Sequence, residues 1–264
     1  MTTNITENAA IAAAEALHRF YGLAKHQAWD VKNLSWGKIA LVPETSGSPA
    51  KRERRQALWR SVITQQLQAD ELAVQVSVQL QTASSDAEAR LYYSTMTQDE
   101  ARHYEAWSRL IAEAGGLCEP DPYLMKLGKM VLDANSIEEK VWLLQVTFEG
   151  LVIPRFRQIA MSAPGTILAE ICNKLTIDDG IHHGAGVSYE RILLPRTTTR
   201  IKRRIEKLSA KMWPLYVQHI LWRPRERAIV GSLMQDYDAA MIHSHKASVL
   251  KLADDFGLSV DLID

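Results

Sequence analysis

The sequence lacks several features that would point to particular classes of protein. Its 264 residues include only two cysteines, Cys118 and Cys172, which excludes a disulfide framework and fits a reducing compartment. The 31 basic and 31 acidic residues cancel, so no bulk charge attracts nucleic acid or an anionic membrane. No apolar run approaches the roughly 20 residues of a membrane span, and the polar start lacks the regions of a secretory signal. We therefore expect a soluble, cytoplasmic protein.

Period-two alternation is also scarce, whereas apolar residues at helical spacing are common, and this pattern predicts an all-α fold. Most of the 13 glycines and nine prolines fall between long helix-forming stretches. Residues 30–50 are expected to form a loop across the surface, and Pro154 and Pro214 to kink their helices. We expect one domain over 1–264, with helices at about 7–29, 52–83, 87–115, 123–134, 136–164, 165–194, 197–223 and 225–256.

Two short segments, 99–103 and 178–182, carry the most informative pattern. In each segment a carboxylate stands three residues before a histidine, as Glu100 does before His103 and Asp179 before His182. On a helix this spacing puts both side chains on one face. One further glutamate precedes each pair, at distances of 29 and 30 residues. The candidate ligands are therefore Glu71, Glu100, His103, Glu149, Asp179 and His182.

These six side chains predict a site for two metal ions inside a four-helix bundle. Four carboxylates offset two divalent ions, and one imidazole per metal among oxygen ligands suits iron or manganese better than zinc. Apolar neighbours at helical spacing favour burial of Glu71 and Glu149, and a buried carboxylate without a cation is costly. The alternative is that both glutamates are solvated and the histidines incidental. The repeated spacing favours the metal site.

The residues beside these candidates suggest supporting contacts. Asp99 and Asp178 each directly precede a candidate carboxylate, and metal-bound imidazoles normally donate their other N–H to such a group. Arg102 follows Asp99 by three residues and could pair with it, although Asp99 could instead be solvated. His183 stands four residues after Asp179 and could also chelate. The motif register favours His182, which leaves His183 as an extra ligand, a supporting donor or an exposed residue.

The segment D-E-A-R-H at 99–103 resembles the D-E-x-R-H signature of the ferritin-like di-iron carboxylate oxygenases. That superfamily includes the bacterial multicomponent monooxygenase hydroxylases and, more distantly, the small subunits of ribonucleotide reductase. The order of the six candidate ligands is similar to the family's ligand order, and the match covers about residues 57–195. The resemblance implies a ferritin-like four-helix bundle with additional N- and C-terminal helices. It also implies that Asp99 holds His182 and that Asp178 holds His103.

The second segment departs from the family's pattern. Asp179 stands where the family usually has glutamate, and glycine and isoleucine replace the x-Arg pair. Gly180, Gly184 and Gly186 are unusual inside a helix, where each costs up to about 1 kcal/mol relative to alanine. They indicate a π-bulge, a close backbone approach, or a helix that ends early.

The resemblance implies an O2-dependent non-heme di-iron oxygenase that acts on a small organic substrate by hydroxylation, N-oxygenation or a related oxidation. The resemblance also implies two iron ions, with manganese possible for one or both. The electrons would come from a ferredoxin or reductase. One alternative is a ferritin-like tRNA hydroxylase, which only the basic clusters at 51–55 and 200–204 support. Another is a non-enzymatic helical interaction or metal-storage protein. The flanking tryptophans could then support a homodimer, and these are Trp29, Trp36, Trp213 and Trp222.

Overall fold

The computed structural model describes residues 2–222 and 235–263. Within these ranges every long element is a helix and no strand is present, which confirms the all-α prediction. The long helices begin after capping residues, as where Asp86 accepts a hydrogen bond from the backbone N–H of Ala89. The helices are α1 (Thr2–Gln27), α2 (Pro49–Ala83), α3 (Ala87–Glu113), α4 (Pro122–Leu132), α5 (Ile137–Val141), α6 (Glu149–Ser162), α7 (Ile167–Leu193), α8 (Thr199–Leu221) and α9 (Gln235–Asp255).

A π-helix, Trp142–Phe148, joins α5 to α6, so residues 137–162 form one continuous helical rod. The sequence predicted a kink in this rod at Pro154. The irregular turn instead ends just before Glu149, and Pro154 lies inside α6. A π-helix widens the turn and shifts the register of the side chains around it. This register shift occurs directly before a candidate ligand.

Four long rods, α2, α3, α5–α6 and α7, form the bundle, and the remaining helices pack on its outside. Helix α1 lies against α3 and α7, α8 lies against α4, and α9 lies against α6 and α8. The additional N- and C-terminal helices are therefore present, as predicted. Part of the last predicted helix, residues 225–234, falls outside the described residues.

The loop between α1 and α2 is fixed to the start of α7. Backbone carbonyls of Ala40 and Leu41 accept hydrogen bonds from the amides of Ile167 and Leu168, at 2.9 and 3.0 Å. These are N–H groups that the first turn of a helix cannot pair internally. The contact closes the loop over one end of the bundle, and the beginning of the loop carries Trp29 toward the interior.

Two apolar cores occupy opposite halves of the bundle. One core contains Tyr92, Met96 and Trp142, and the other contains Trp107 and Phe156. Along α3 the residues between Met96 and Trp107 include the buried polar side chains of the D-E-A-R-H segment. The cores are thus separated by a polar layer at mid-height. Among the residues that the structure describes, no helix has both the length and the apolar character to cross a bilayer.

Candidate metal centre

The polar layer consists of acidic and imidazole side chains that the two cores seal from solvent. Each of its eight members is at most 7% exposed. Helix α2 contributes one, α3 three, α6 one and α7 three, so all four rods of the bundle take part. The members are Asp70, Asp99, Glu100, His103, Glu149, Asp178, Asp179 and His182.

Glu100 lies at the centre of this layer. Its Oε1 is 3.2 Å from Nδ1 of His182, and its Oε2 is 3.5 Å from Nδ1 of His103. Each carboxylate oxygen therefore faces a different imidazole. One group of possible ligands is Asp70, Glu100 and His103, and a second is Glu100, Asp179 and His182; within each group the donor atoms lie within 4.8 Å of one another. Two adjacent three-ligand groups that share one carboxylate can hold two neighbouring ions.

Glu149 completes the second group from α6. Its Oε1 is 3.6 Å from Nδ1 of His182. Neither oxygen of Glu149 has a hydrogen-bond partner among the described residues, and the same is true of Oδ2 of Asp70 and Nδ1 of His182. Buried polar atoms are normally paired. Unpaired oxygens and a nitrogen that face one another are the donor set of a cation site.

Two aspartates hold the imidazoles from outside. Nε2 of His103 is 3.0 Å from Oδ2 of Asp178, and Nε2 of His182 is 3.3 Å from Oδ2 of Asp99. These are the two cross-bundle pairs that the resemblance implied. A carboxylate at Nε2 keeps the ring proton there and leaves the Nδ1 lone pair pointing inward. The rings are therefore oriented for ligation through Nδ1.

Arg102 and Trp29 brace the aspartates. Nη2 of Arg102 donates to Asp99 at 2.5 Å and to Asp178 at 3.2 Å, so one guanidinium ties both together. The indole N–H of Trp29 donates to Asp178 at 2.7 Å, and its ring stacks on His103 with centroids 6.3 Å apart. Trp29, considered above as a dimer contact, is thus part of the site's surroundings, and Trp213 is buried in a core.

The structure does not support Glu71 as a ligand. Its side chain is exposed, whereas the preceding residue, Asp70, is buried and lies beside Glu100 and His103. The buried stripe of α2 runs through Leu67, Asp70 and Ala73, which places position 71 about 100° away on the solvent side. Asp70, the buried candidate, leaves a signal in the sequence, because it precedes Glu100 by 30 residues, as Glu149 precedes Asp179.

Burial and the nearby imidazoles shift the pKa values of the acidic groups in opposite directions. Burial raises the pKa of Glu149 to about 7, and it raises the pKa values of Asp70 and Asp179 well above their usual range. Burial also raises the pKa of Glu100, but the neighbouring imidazoles of His103 and His182 outweigh it and lower the pKa to about 2. These four carboxylates therefore need more positive charge than two imidazoles supply. Two divalent cations would provide it.

His183 does not join the metal cluster. Its Nδ1 donates to the backbone carbonyl of Gln145 at 2.8 Å, on another face of α7 from His182. The motif register, which favoured His182, agrees with this placement. His183 is the supporting donor among the three roles considered for it, although what it supports is the backbone of the π-helix.

Gln145 connects the π-helix to the site. Its side-chain amide donates to the backbone carbonyl of His182 at 2.9 Å and to the hydroxyl of Tyr92 at 3.1 Å, and its oxygen accepts from Tyr93. A close approach of this kind explains Gly186, because a Cβ there would lie 2.4 Å from Cβ of Gln145. A Cβ on Gly184 would lie 3.1 Å from the ring of Phe20, whereas one on Gly180 would meet no atom within 4 Å. Helix α7 itself stays α-helical to Leu193, so it neither ends early nor bulges.

Two glycines of α7 allow this packing argument to be tested. Gly186→Ala is expected to destabilise the protein by about 1 to 3 kcal/mol, because the new methyl group overlaps Gln145. Gly180→Ala meets no atom within 4 Å and is expected to stabilise the helix by about 0.5 to 1 kcal/mol. Urea unfolding followed by circular dichroism measures both. Equal effects from the two substitutions would contradict the close approach at Gly186.

A small cavity reaches the carboxylate side of the cluster. It has a volume of about 10 Å³, and Asp70, Glu100, Glu149 and Asp179 form its polar wall. Its apolar wall includes Leu144 and Phe148, which also line a neighbouring apolar cavity of about 20 Å³. The first cavity has room for one molecule of the size of water. A larger molecule can reach the carboxylates only if side chains such as Phe148 move.

Comparison with solved structures finds R2-like ligand-binding oxidases. One, described as having an aerobically reconstituted Mn/Fe cofactor (long soak), has a TM-score of 0.66 and 17% identity over 92% of each chain. A mutant with the same type of cofactor has a TM-score of 0.67 and 17% identity, covering 92% of this chain and 97% of its own. This likeness establishes the fold, which confirms the predicted ferritin-like helical bundle. No protein-family model and no curated protein matches the sequence.

Proposed function

We propose that this protein is an O2-dependent oxidoreductase with two metal ions, and that it oxidises a small organic substrate. The observation that carries the proposal is the pair of three-ligand groups that share Glu100. The unpaired buried atoms around them support a site for cations. The metals would be two iron ions, or iron with manganese, because the ligands are mainly oxygen with one imidazole per metal.

The ligands would divide between the two ions. Asp70 and His103 would hold one ion, Glu149, Asp179 and His182 the other, and Glu100 both. Such a metal pair supplies the electrons and the Lewis acidity for reaction with O2. The other residues would orient the ligands and keep the site dry. Asp99 and Asp178 keep the imidazole lone pairs directed inward. The two apolar cores exclude water.

The proposed overall reaction is that of a monooxygenase. One oxygen atom of O2 is inserted into a C–H or N–H bond of the substrate, and the other leaves as water after taking up two electrons and two protons. The electrons would come from a ferredoxin or a reductase. Trp29 supports this electron supply, because it links a half-buried position to the site. Its indole N–H donates to Asp178, which in turn contacts His103.

Uptake of O2 tests the proposal. The apoprotein is loaded anaerobically with Fe(II), or with Fe(II) and Mn(II), freed of excess metal and mixed with O2 in an electrode cell. We expect rapid uptake in amounts stoichiometric with protein, because two reduced metal ions would supply electrons for reaction with O2. A Glu100→Ala variant treated identically serves as the control. Uptake no faster than that of the control would contradict the proposed function.

A further inference from the structure

A larger cavity lies between α6, α7 and α9, apart from the metal cluster. Its volume is about 370 Å³, which is within the roughly 300 to 1,000 Å³ of small-molecule sites. Its apolar wall includes Val146 and Met241. Its polar part consists of His183, Ser244, His245 and Ser248. Neither the proposed oxidation nor the bundle's packing uses this space.

His245 gives the cavity an unpaired acceptor. The side chain is 6% exposed, and its Nε2 has no hydrogen-bond partner among the described residues. The backbone carbonyl of Thr147 accepts from the other ring nitrogen, and the ring of Trp213 stacks on the imidazole at 6.0 Å. Burial lowers the pKa of His245 to about 4, so the ring is neutral near pH 7. A neutral ring that donates at Nδ1 presents a lone pair at Nε2.

His183 is held in the same tautomer. Because a carbonyl can only accept, the contact with Gln145 requires the ring proton on Nδ1 and leaves Nε2 as an acceptor in the neutral ring. Both accepting carbonyls, of Gln145 and Thr147, belong to the π-helix. The irregular turn therefore orients two imidazoles that line one cavity.

Gly150 lets the two rings approach each other. A Cβ at this position would lie 3.1 Å from Cε1 of His183 and 3.4 Å from Cε1 of His245. Any larger residue would press into the space between the rings. This arrangement accounts for the glycine that directly follows Glu149.

Three polar groups of the cavity present hydrogen-bond acceptors. Besides the two imidazoles, Ser248 donates its own proton to the carbonyl of Ser244 at 3.1 Å, which leaves its oxygen as an acceptor. The described residues that line the cavity include no lysine and no arginine, so they offer no counter-charge to a carboxylate or phosphate. They include no carboxylate either, so a buried ammonium ion would be equally costly.

We propose that this cavity binds a small, largely apolar molecule with a neutral hydroxyl group, a phenol or an alcohol, which donates its one hydroxyl proton to Nε2 of His245, beside His183. The apolar wall takes up the hydrocarbon part, and Nε2 of His245 selects the hydroxyl. A site whose buried acceptor is otherwise unpaired discriminates against ligands that lack the donor.

Matched ligands test the selection for a donor. Binding of p-cresol, of 4-methylanisole, which has the same shape but no O–H, and of benzoate is measured on the full-length protein by saturation-transfer NMR titration. We expect p-cresol to bind at least about ten-fold more tightly than the other two, which corresponds to one hydrogen bond to a buried acceptor. Equal binding of p-cresol and 4-methylanisole, tighter binding of benzoate, or no binding of p-cresol up to about 10 mM would overturn the proposal.

Variants test the residues. His245→Phe keeps a ring against Trp213 and removes the acceptor, so the affinity for p-cresol is expected to fall to that for 4-methylanisole. His243→Phe, at an exposed position of the same helix, is the matched control and should bind as the unmodified protein does. Gly150→Ala inserts a methyl group between the rings and should cause a similar loss. Melting curves verify folding, and unchanged p-cresol affinity in folded His245→Phe or Gly150→Ala would contradict the assignment.

Discussion

Replacing Glu100 with alanine is expected to abolish binding of both metal ions rather than one. The two oxygens of Glu100 face different imidazoles, and the carboxylate belongs to both three-ligand groups. Its removal therefore takes a ligand, and a negative charge, from each ion at once. Metal content after anaerobic loading and desalting, measured by inductively coupled plasma mass spectrometry, should fall from two ions per chain to none.

Glu105 provides the control for this experiment. It lies on α3 one turn beyond Glu100, but its side chain is exposed. Glu105→Ala should retain both ions, and circular dichroism should show the same helical content in both variants. Retention of two ions by Glu100→Ala would mean that the carboxylate is not a ligand. Retention of one tightly bound ion would mean that it is not shared.

Asp70 and Glu71 allow a second test of the metal site, because they are adjacent but only Asp70 is buried in the bundle. Asp70→Ala is expected to lose the ion beside His103 and to keep the ion beside His182, since Asp70 belongs only to the first group. Glu71→Ala is expected to keep both, because this side chain is exposed. The measurement is again the number of ions per chain, expected to be one for the first variant and two for the second.

Each variant of this pair serves as the control for the other. They remove a carboxylate from neighbouring positions of α2, so a general effect of net charge would appear in both. Loss of metal from Glu71→Ala together with full occupancy in Asp70→Ala would show that α2 is rotated relative to the orientation described above.

The carboxylate-x-x-His pairs were predictable because their geometry is local. Three residues along a helix return a side chain to the same face, whatever the helix packs against. Glu100 with His103 and Asp179 with His182 therefore came from the sequence with the correct partners. The two aspartates that precede them make contacts across the bundle. The resemblance implied these contacts.

The α2 candidate was placed at Glu71 rather than at the buried Asp70 because it has no such local partner. Its face depends on how the whole helix is rotated against the bundle, and apolar neighbours at Leu67 and Val74 were compatible with position 71. The structure buries Leu67 and Ala73 on either side of Asp70 instead. Only the common 30-residue spacing, seen from both halves together, distinguishes Asp70 from Glu71 in the sequence.

The surroundings of the site depend on tertiary contacts that no spacing encodes. Trp29 reaches Asp178 across 149 positions of sequence. The π-helix depends on Gln145, which contacts Tyr92, Tyr93 and the backbone of His182 on other helices. Gly184 and Gly186 did signal close approaches, but the sequence could not say which residues approach.

The most direct test of the central claim is anomalous diffraction at the iron and manganese edges from crystals of the metal-loaded protein. The account predicts two anomalous peaks, one on each side of the Glu100 carboxylate, the first beside Nδ1 of His103 and the second beside Nδ1 of His182. A single peak, or peaks located away from these two imidazoles, would contradict the assignment of the polar layer as a two-metal centre.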